Sequence, residues 1–451
     1  MARRASDRTS SGLTDREFYA DLWGVKSRAA RTRDAWSDVH KRSGLLLLFA
    51  TAALAVYALI TTLIGGSPDS ELPTGEDDPT ELRSTVGSEI AVSGTPTELV
   101  AGDPLGPTQS RGPQDGATIA ESGASNTPSR PATSVPIPVI FDTDAVNGVE
   151  DTLALAMLHT YASMGTVNLL AVTISQADPS AAPYIDAIDS YYGAPDVPIG
   201  VIRDGGYTSD VSYFHRQIAA DTYRFPHDLT DGAQAEDATA LLRRQLAAQP
   251  DGSVVVVAVG FSTNLVRLLD SPPDGFSELN GTDLVARKVR LLANTAGEFS
   301  RRQPEFHVAK DPRSAEELFK RWPTTIVTSQ WQVGADLPFP GEALSTMPAE
   351  PANPVLEAFA LHGNNALQVG FPYHQPAFDS TAMLYAIEPE ADYFTVGEPG
   401  AITVDRRALT TFTPGGHSRH YLLQAPSTAA DTKRTIDRIV TLVTGASSDP
   451  S

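Results

Sequence analysis

Residues 139–151 read Val139-Ile140-Phe141-Asp142-Thr143-Asp144-Ala145-Val146-Asn147-Gly148-Val149-Glu150-Asp151. The apolar run at the start is typical of a buried strand, and carboxylates follow where that strand would end. The next residues, 152–158, have helical spacing, which predicts a helix that begins close to the last two carboxylates. Because ligands of open α/β sheets bind at the carboxyl edge, we expect Asp142 and Asp144 to lie at a binding site.

Several like charges at one sheet edge repel one another unless a cation or shared protons offset them. The ligands offered by this stretch are all oxygens, and neither Cys nor His lies within it. Oxygen-only donor sets favour a hard ion, Ca²⁺ or Mg²⁺. The stretch therefore predicts a cation site.

The composition of the chain excludes several classes of partner and site. Its 451 residues include 34 Lys and Arg against 55 Asp and Glu, a formal net charge of −21. Nucleic acid is not an expected partner, because phosphate binding needs basic patches. The chain has no cysteine, which excludes disulfides, thiolate nucleophiles and Cys–zinc sites.

An uncharged apolar run of 21 residues, 44–64, is long enough to cross a bilayer as one helix. Residues 1–43 are polar and rich in Arg, and Lys41 and Arg42 directly precede the run. The acidic residues that follow it are Asp69, Glu71, Glu76, Asp77 and Asp78. Since the positive flank stays in the cytoplasm, we expect a single-pass membrane protein with residues 1–43 inside and the rest outside the cytoplasm.

Residues 65–135 are rich in Ser, Thr, Pro, Gly and acidic residues and contain few large apolar side chains. Such a segment cannot bury enough surface to fold. We expect a disordered linker that holds the next domain away from the membrane.

Residues 136–446 alternate strand-like and helix-like segments, which predicts one α/β domain with an open, mostly parallel, Rossmann-like sheet and helices on both faces. The expected strands are Pro136–Asp144, Asn168–Ser175, Val197–Ile202, Ser253–Val259, Lys288–Asn294 and Thr324–Ser329. The expected helices are Glu150–Met164, Ala182–Tyr192, Ala235–Ala248, Thr263–Asp270 and Ser314–Arg321. Strand character returns as a small antiparallel addition at Tyr393–Val396, Ala401–Val404 and Tyr421–Leu423.

Residues 142–155 read D-T-D-A-V-N-G-V-E-D-T-L-A-L. This string resembles, without a gap, the D-T-D-x-G-N-D-V-D-D-A-L-A-L motif that opens some members of the inosine–uridine-preferring nucleoside hydrolase family. Further similar segments follow in the family's order and cover most of residues 136–425. They are Leu170–Ser175, Pro195–Gly200, Gly260–Leu265, Pro304–His307 and Asp379–Ala386. The resemblance implies a nucleoside hydrolase-like fold.

The resemblance also implies a Ca²⁺ ion at the strand ends, which holds a nucleophilic water and the sugar hydroxyls. Asp144 would bind this ion and act as the general base, and Asp151 would be a second ligand. Asp379 would close the site as a further ligand and catalytic carboxylate, and Val259 would lend its backbone carbonyl. The implied reaction is hydrolysis of a nucleoside to free base and ribose, and the implied assembly is a homo-oligomer.

The residues that contact the sugar depart from the family's pattern. Glu150 stands for the Asp that touches the 2-hydroxyl, and Glu305 keeps the contact to the 5-hydroxyl. His307 replaces the Asn that touches the 3-hydroxyl, and Thr295 replaces a Met. The His that often precedes the last Asp is absent, so His374 becomes the candidate proton donor to the leaving base.

The opening motif departs from the family's pattern at further positions, where Val146 replaces a Gly and Gly148 an Asp. Ordinary roles also compete with the functional ones. Glu150 suits any helix start, and Asn264 more often caps a helix than binds substrate. For His374 the competing interpretation is an ordinary exposed loop residue. For the aromatic side chains near it, the competing interpretation is packing.

Two rival functions follow from the same residues. The altered sugar contacts are compatible with a catalytically impaired descendant that binds a nucleoside, a sugar-containing ligand or a protein. The Asp142-x-Asp144 pair also fits an aspartyl phosphatase of the haloacid-dehalogenase type. That family needs a downstream Lys, and Lys288 and Lys310 are badly framed for it.

Overall fold

The computed structural model describes residues 135–208, 214–348, 350–415 and 419–445. The predicted segments 1–43 and 44–64, and nearly all of the predicted linker, lie outside these ranges. The strands are β1 Ile137–Thr143, β2 Val167–Ile174, β3 Ile199–Val201, β4 Glu236–Asp237, β5 Val254–Ala258, β6 Val289–Thr295, β7 Thr325–Ser329, β8 Pro338–Pro340, β9 His374–Pro376, β10 Thr395–Val396, β11 Gly400–Val404, β12 Thr410–Pro414 and β13 His420–Gln424.

The helices alternate with these strands through most of the domain. They are α1 Glu150–Ser163, α2 Ala181–Tyr191, α3 Phe214–Ala220, α4 Ala238–Ala247, α5 Thr263–Asp270, α6 Gly281–Lys288, α7 Phe306–Lys310, α8 Pro312–Arg321, α9 Trp331–Ala335, α10 Pro354–Leu361, α11 Phe378–Ile387 and α12 Ala429–Thr444. Within the described ranges, no helix is both long enough and apolar enough to span a membrane.

One large sheet has the strand order β12-β11-β13-β7-β6-β5-β1-β2-β3-β4, and β10 pairs with β13. Every pairing from β13 through β7 to β4 is parallel. The pairings of β11 with β12 and β13, and of β10 with β13, are antiparallel. The predicted mostly parallel α/β sheet is therefore confirmed, and the late antiparallel strands extend this sheet through β13.

The alternation of side chains along the central strands divides the core between the two faces of the sheet. Val139 and Phe141 pack on one face with α1, α2, α11 and α12. Ile140, between them, packs on the opposite face with α4, α5, α6 and α8. Helices cover both faces, as the alternation of segments predicted.

The predicted helix over 235–248 begins later than expected. Ala235 follows a short 3₁₀ turn, and the two-residue strand β4 comes before the helix. Asp237 then caps α4, since its side chain accepts a hydrogen bond from the amide of Ala240 at 2.9 Å. A polar residue with a local acceptor thus ends the extended segment and begins the helix.

A brace joins the far ends of α1 and α11. Glu388, directly after α11, accepts a hydrogen bond from the Tyr161 hydroxyl of α1 at 2.9 Å and from Arg438 Nε of α12 at 3.0 Å. The first turns of α1 and α11 contain Glu150, Asp151 and Asp379. The brace therefore fixes the two helices that deliver these carboxylates.

Candidate functional site

A cavity of about 40 Å³ lies at the carboxyl edge of the sheet. Its walls come from the segment after β1, the first turns of α1 and α11, the end of β6, the start of α7 and the start of α9. The lining residues are Asp144, Gly148, Glu150, Asp151, Thr295, Glu305, Phe306, His307, Trp331, Phe378 and Asp379. Seven of the predicted site residues therefore meet in one place.

Asp144 projects from the loop after β1 and is only 1 % exposed. Asn147 orients it, since Nδ2 of the amide donates to Asp144 Oδ2 at 2.6 Å and also donates to Gln176. Ala145, the next residue along, adopts a left-handed backbone with φ 64°. This bend turns the chain sharply after the strand and leaves the Asp144 carboxylate in the cavity.

Asp151 lies in the first turn of α1 and is also buried. The Thr143 hydroxyl, at the end of β1, donates a hydrogen bond to it. Burial raises the pKa of Asp151 well above its ordinary value, and the charges of Asp144 and Asp379 raise it further. A group under this repulsion favours either a shared proton or a bound cation.

Asp379 reaches the same cavity from the first turn of α11 and is 3 % exposed. Burial, followed by the charge of Glu150, raises its pKa well above the ordinary value. Within the described structure its Oδ1 is buried without a hydrogen-bond partner. The α11 helix is anchored over the strand ends, because Ser329 Oγ of β7 lies 2.6 Å from Thr381 Oγ1.

His307 introduces a positive charge among these carboxylates. Its Nε2 lies 3.5 Å from Asp144 Oδ2, and its Nδ1 lies 3.1 Å from Glu305 Oε1. Burial by itself would lower the pKa of His307, but the charges of Glu305 and Asp144 outweigh it and raise the pKa well above its ordinary value. The two carboxylates therefore favour the protonated form of the imidazole.

Glu305 is largely occupied by the backbone. It caps α7 by accepting from the amides of His307 and Val308 at 3.0 and 3.2 Å, and it accepts from Gly297 N at 3.1 Å. Burial would raise its pKa, but the His307 charge and these amides lower it. The residue lines the cavity as predicted, although its main contacts hold the cavity wall.

Asp142 stands behind the cavity and is fully buried in β1. Its Oδ2 accepts from Thr173 Oγ1 at 2.6 Å and from Asn264 Nδ2 at 2.9 Å. Burial raises the pKa of Asp142 to about 7. Asn264, which the sequence left between a cap and a ligand contact, therefore supports the strand end that presents Asp144.

An aromatic wall faces the carboxylates and consists of Trp331, Phe306 and Phe378. The guanidinium carbon of Arg301 lies 3.4 Å from the centre of the Trp331 ring. Arg301 is itself held by Glu298, whose Oε2 is 2.6 Å from Nε. None of these aromatic residues was predicted from the sequence to belong to the site, because isolated aromatic residues carry no periodic signal.

Two predicted site residues lie outside the cavity lining. His374 is on β9, where its side chain is 60 % exposed and its Nε2 lies 3.4 Å from Glu342 Oε2. The geometry does not support its predicted role as proton donor. Val259 follows β5 and is buried, and its amide donates to Asp142 O at 2.7 Å. Its carbonyl stays a predicted ligand.

The donor set agrees in chemical type with a hard cation, since carboxylate oxygens are the ligands that Ca²⁺ prefers. The raised pKa values of Asp151 and Asp379 and the unpartnered Oδ1 of Asp379 point the same way. In their present orientations, however, the described His, Asp and Glu side chains include no group of three arranged to hold a metal ion.

The model of the inosine-uridine preferring nucleoside hydrolase family matches residues 139–437 of this chain. The chain belongs to this family. The match contains every lining residue of the cavity. The aspartyl phosphatase alternative is thereby set aside, and Lys288 is bound instead to Gln249 O at 2.7 Å and Asp251 at 2.9 Å.

Solved structures of nucleoside hydrolases share the fold. A plant nucleoside hydrolase matches with a TM-score of 0.51 and 17% identity over 68% of this chain and 99% of its own. An inosine-guanosine nucleoside hydrolase matches with a TM-score of 0.51 and 19% identity, over 68% of this chain and 98% of its own. The inosine-uridine preferring enzyme of Bacillus anthracis has a TM-score of 0.50 and 14% identity over 68% and 99%. No curated protein matches the chain.

Proposed function

We propose that this domain hydrolyses the N-glycosidic bond of a nucleoside, releasing free base and ribose. The observation that carries the proposal is the convergence of five buried carboxylates on one cavity at the carboxyl edge of the sheet. They belong to Asp144, Glu150, Asp151, Glu305 and Asp379. Membership of the nucleoside hydrolase family supports the same reaction.

The proposed cofactor is Ca²⁺, held by Asp144, Asp151, Asp379 and the carbonyl of Val259. When bound, it would lower the pKa of a water molecule and fix the sugar hydroxyls. The carboxylate donors and their mutual repulsion support this assignment.

Side chains of the cavity carry out the proton transfer and stabilise the developing charge. Asp144, oriented by Asn147, takes a proton from the attacking water. The water oxygen bonds to the anomeric carbon, and the bond from that carbon to the base nitrogen breaks. The surrounding carboxylates stabilise the positive charge that develops on the sugar. The electron pair goes to the base, which takes its proton from solvent.

The aromatic wall is suited to stacking on the nucleobase of the substrate. A purine or pyrimidine has two apolar faces, and Trp331 offers a flat surface held in place by Arg301. Stacking on an aromatic side chain tolerates several bases. The cavity of about 40 Å³ is far smaller than the few hundred Å³ that ligand pockets usually have. We infer that this wall moves outward when a nucleoside enters.

We propose further that the domain works outside the cytoplasm. The uncharged run 44–64, preceded by Lys41 and Arg42, would tether it to the membrane.

A second candidate function, binding without turnover, is favoured by one contact. His307 Nε2 lies 3.5 Å from Asp144 Oδ2, which also accepts from Asn147. A general base whose carboxylate oxygen already contacts a cation and accepts a hydrogen bond from an amide is a weaker acceptor for a proton from water.

The deciding experiment measures ribose release by the purified full-length chain from a panel of purine and pyrimidine nucleosides, with and without Ca²⁺. Turnover that disappears in Asp144→Ala supports hydrolysis. If no nucleoside is cleaved but Ca²⁺ still raises the melting temperature, the ion site is intact without turnover, which favours the second candidate.

A further inference from the structure

The space beside Gly148 is filled by the side chain of Glu150. A Cβ atom built on Gly148 would lie 1.9 Å from Glu150 Oε2 and 2.9 Å from Glu150 Cδ. Neither distance is a possible van der Waals contact. Any other residue at 148 would therefore force the Glu150 carboxylate to move.

The backbone at 148 does not itself require glycine. Ala145, three residues earlier in the same loop, has φ 64°, whereas Gly148 is not among the described glycines with positive φ. An L-residue could adopt the Gly148 backbone without the strain of the left-handed region. The missing side chain at Gly148 therefore permits the close approach of Glu150.

The Glu150 carboxylate that fills this space also lines the cavity. Glu150 is 6 % exposed and lines the cavity together with Gly148. It is the first residue of α1, whose preceding residue Val149 provides no side-chain cap. Burial raises the pKa of Glu150 to about 7, and the Asp144 charge acts in the same direction. The helix start favours a negative charge at this position.

We propose that Gly148 and Glu150 form a coupled pair. The space left by the missing side chain at 148 accommodates the Glu150 carboxylate and so sets the position at which this carboxylate contacts the sugar. Gly148 is the positioning residue and Glu150 makes the contact. The inference rests on the proposed function for its substrate, a ribonucleoside, but the coupling of the two residues does not depend on turnover.

The coupling is tested by melting temperatures of the full-length chain. Gly148→Ala should lower Tm by about 2–5 °C, because a buried carboxylate is pushed toward other carboxylates. In the Glu150→Ala background the same substitution should leave Tm unchanged or raise it, since alanine reduces the entropy of the unfolded chain. Gly275→Ala is the matched control, because a Cβ there meets nothing within 4 Å. An equal loss in both backgrounds overturns the coupling.

Kinetics test the positioning role. The atoms nearest the added Cβ are the flexible end of Glu150, so Gly148→Ala should keep the fold. Its KM for the best nucleoside should rise about tenfold, with a smaller change in kcat. Adding Glu150→Asp should recover part of the KM, because the shorter side chain clears the Cβ.

An unchanged KM in Gly148→Ala overturns the positioning role. If the wild-type chain releases no ribose from any nucleoside, the proposed function fails, and the melting temperatures still decide whether the two residues are coupled.

Discussion

His307 Nε2 lies 3.5 Å from Asp144 Oδ2, the proposed general base, and the charges of Glu305 and Asp144 raise the pKa of this imidazole. Glu305 holds the other ring nitrogen at 3.1 Å. A cation at this position offsets part of the repulsion among the carboxylates. It also competes with any metal ion for the same oxygen.

Removing this charge should strengthen calcium binding. We expect His307→Asn to lower the Kd for Ca²⁺ about tenfold, a gain of ~1.4 kcal/mol. Isothermal titration of the full-length chain measures it, with His374→Asn as the control because that side chain is 60 % exposed. Weaker calcium binding in His307→Asn would show that the imidazole supports the ion site.

Asp144→Ala should abolish turnover while the chain stays folded. Loss of a general base costs about 10²–10⁴-fold in rate, and the loss of a proposed ion ligand adds to this. Ribose release and a melting curve are measured together. Asp196→Ala, at an exposed position, should keep full activity. Residual turnover within tenfold of wild type would show that Asp144 is not the general base.

Trp331→Ala should weaken substrate binding more than it slows chemistry. A stacking contact with a base contributes about 1–3 kcal/mol, so KM should rise about 10- to 100-fold. Trp331→Phe keeps an aromatic face and should lose much less. Steady-state kinetics on one purine and one pyrimidine nucleoside test both variants. A fall in kcat at constant KM would contradict a binding role.

Asp142 should make folding stability depend on pH. Burial raises its pKa in the folded chain from the ordinary value of 3.8 to about 7. A group that holds its proton more tightly when folded stabilises the fold fully below pH 3.8, and this stability is lost as pH rises to 7. The loss is on the order of 4 kcal/mol, since each pKa unit corresponds to about 1.4 kcal/mol.

Asp142→Asn should flatten this dependence, because an amide oxygen can accept the same hydrogen bonds from Thr173 and Asn264 without titrating. Urea unfolding between pH 4 and 8, with a calcium chelator present, measures the slope. If wild type and Asp142→Asn have parallel profiles, Asp142 is not the titrating group.

His374→Ala should change kcat/KM by less than about twofold, within the usual range for surface substitutions. The side chain is exposed and lies beside Glu342, away from the cavity lining. A large loss of kcat, most of all one confined to high pH, would restore the predicted role in protonating the base.

The sheet and its first site helix were predictable because their signals are local. The apolar run before Asp142 and the helical spacing after Asp151 require only the period of a strand and of a helix. α5 begins and ends where expected, at Thr263 and Asp270. The alternation of such segments was enough to predict a parallel sheet.

The surroundings of the carboxylates were not predictable in the same way. The contacts of Arg301 with Trp331, and of Glu388 with Tyr161 and Arg438, join residues that the sequence gives no reason to pair. His374 shows the limit of proximity in sequence: it lies close to Asp379 along the chain, but its side chain is exposed beside Glu342 whereas Asp379 lines the cavity.

The cavity has two sides of unlike construction. The acidic side is set by β1 and by α1 and α11, whose far ends Glu388 ties together. The aromatic wall takes one residue from each of three helix starts, Phe306 of α7, Trp331 of α9 and Phe378 of α11, and Arg301 covers Trp331. Phe378 shares its helix with Asp379, whereas α9 carries none of the acidic residues that line the cavity. A designer seeking a new substrate would therefore begin with Trp331, whose replacement leaves the acidic elements in place.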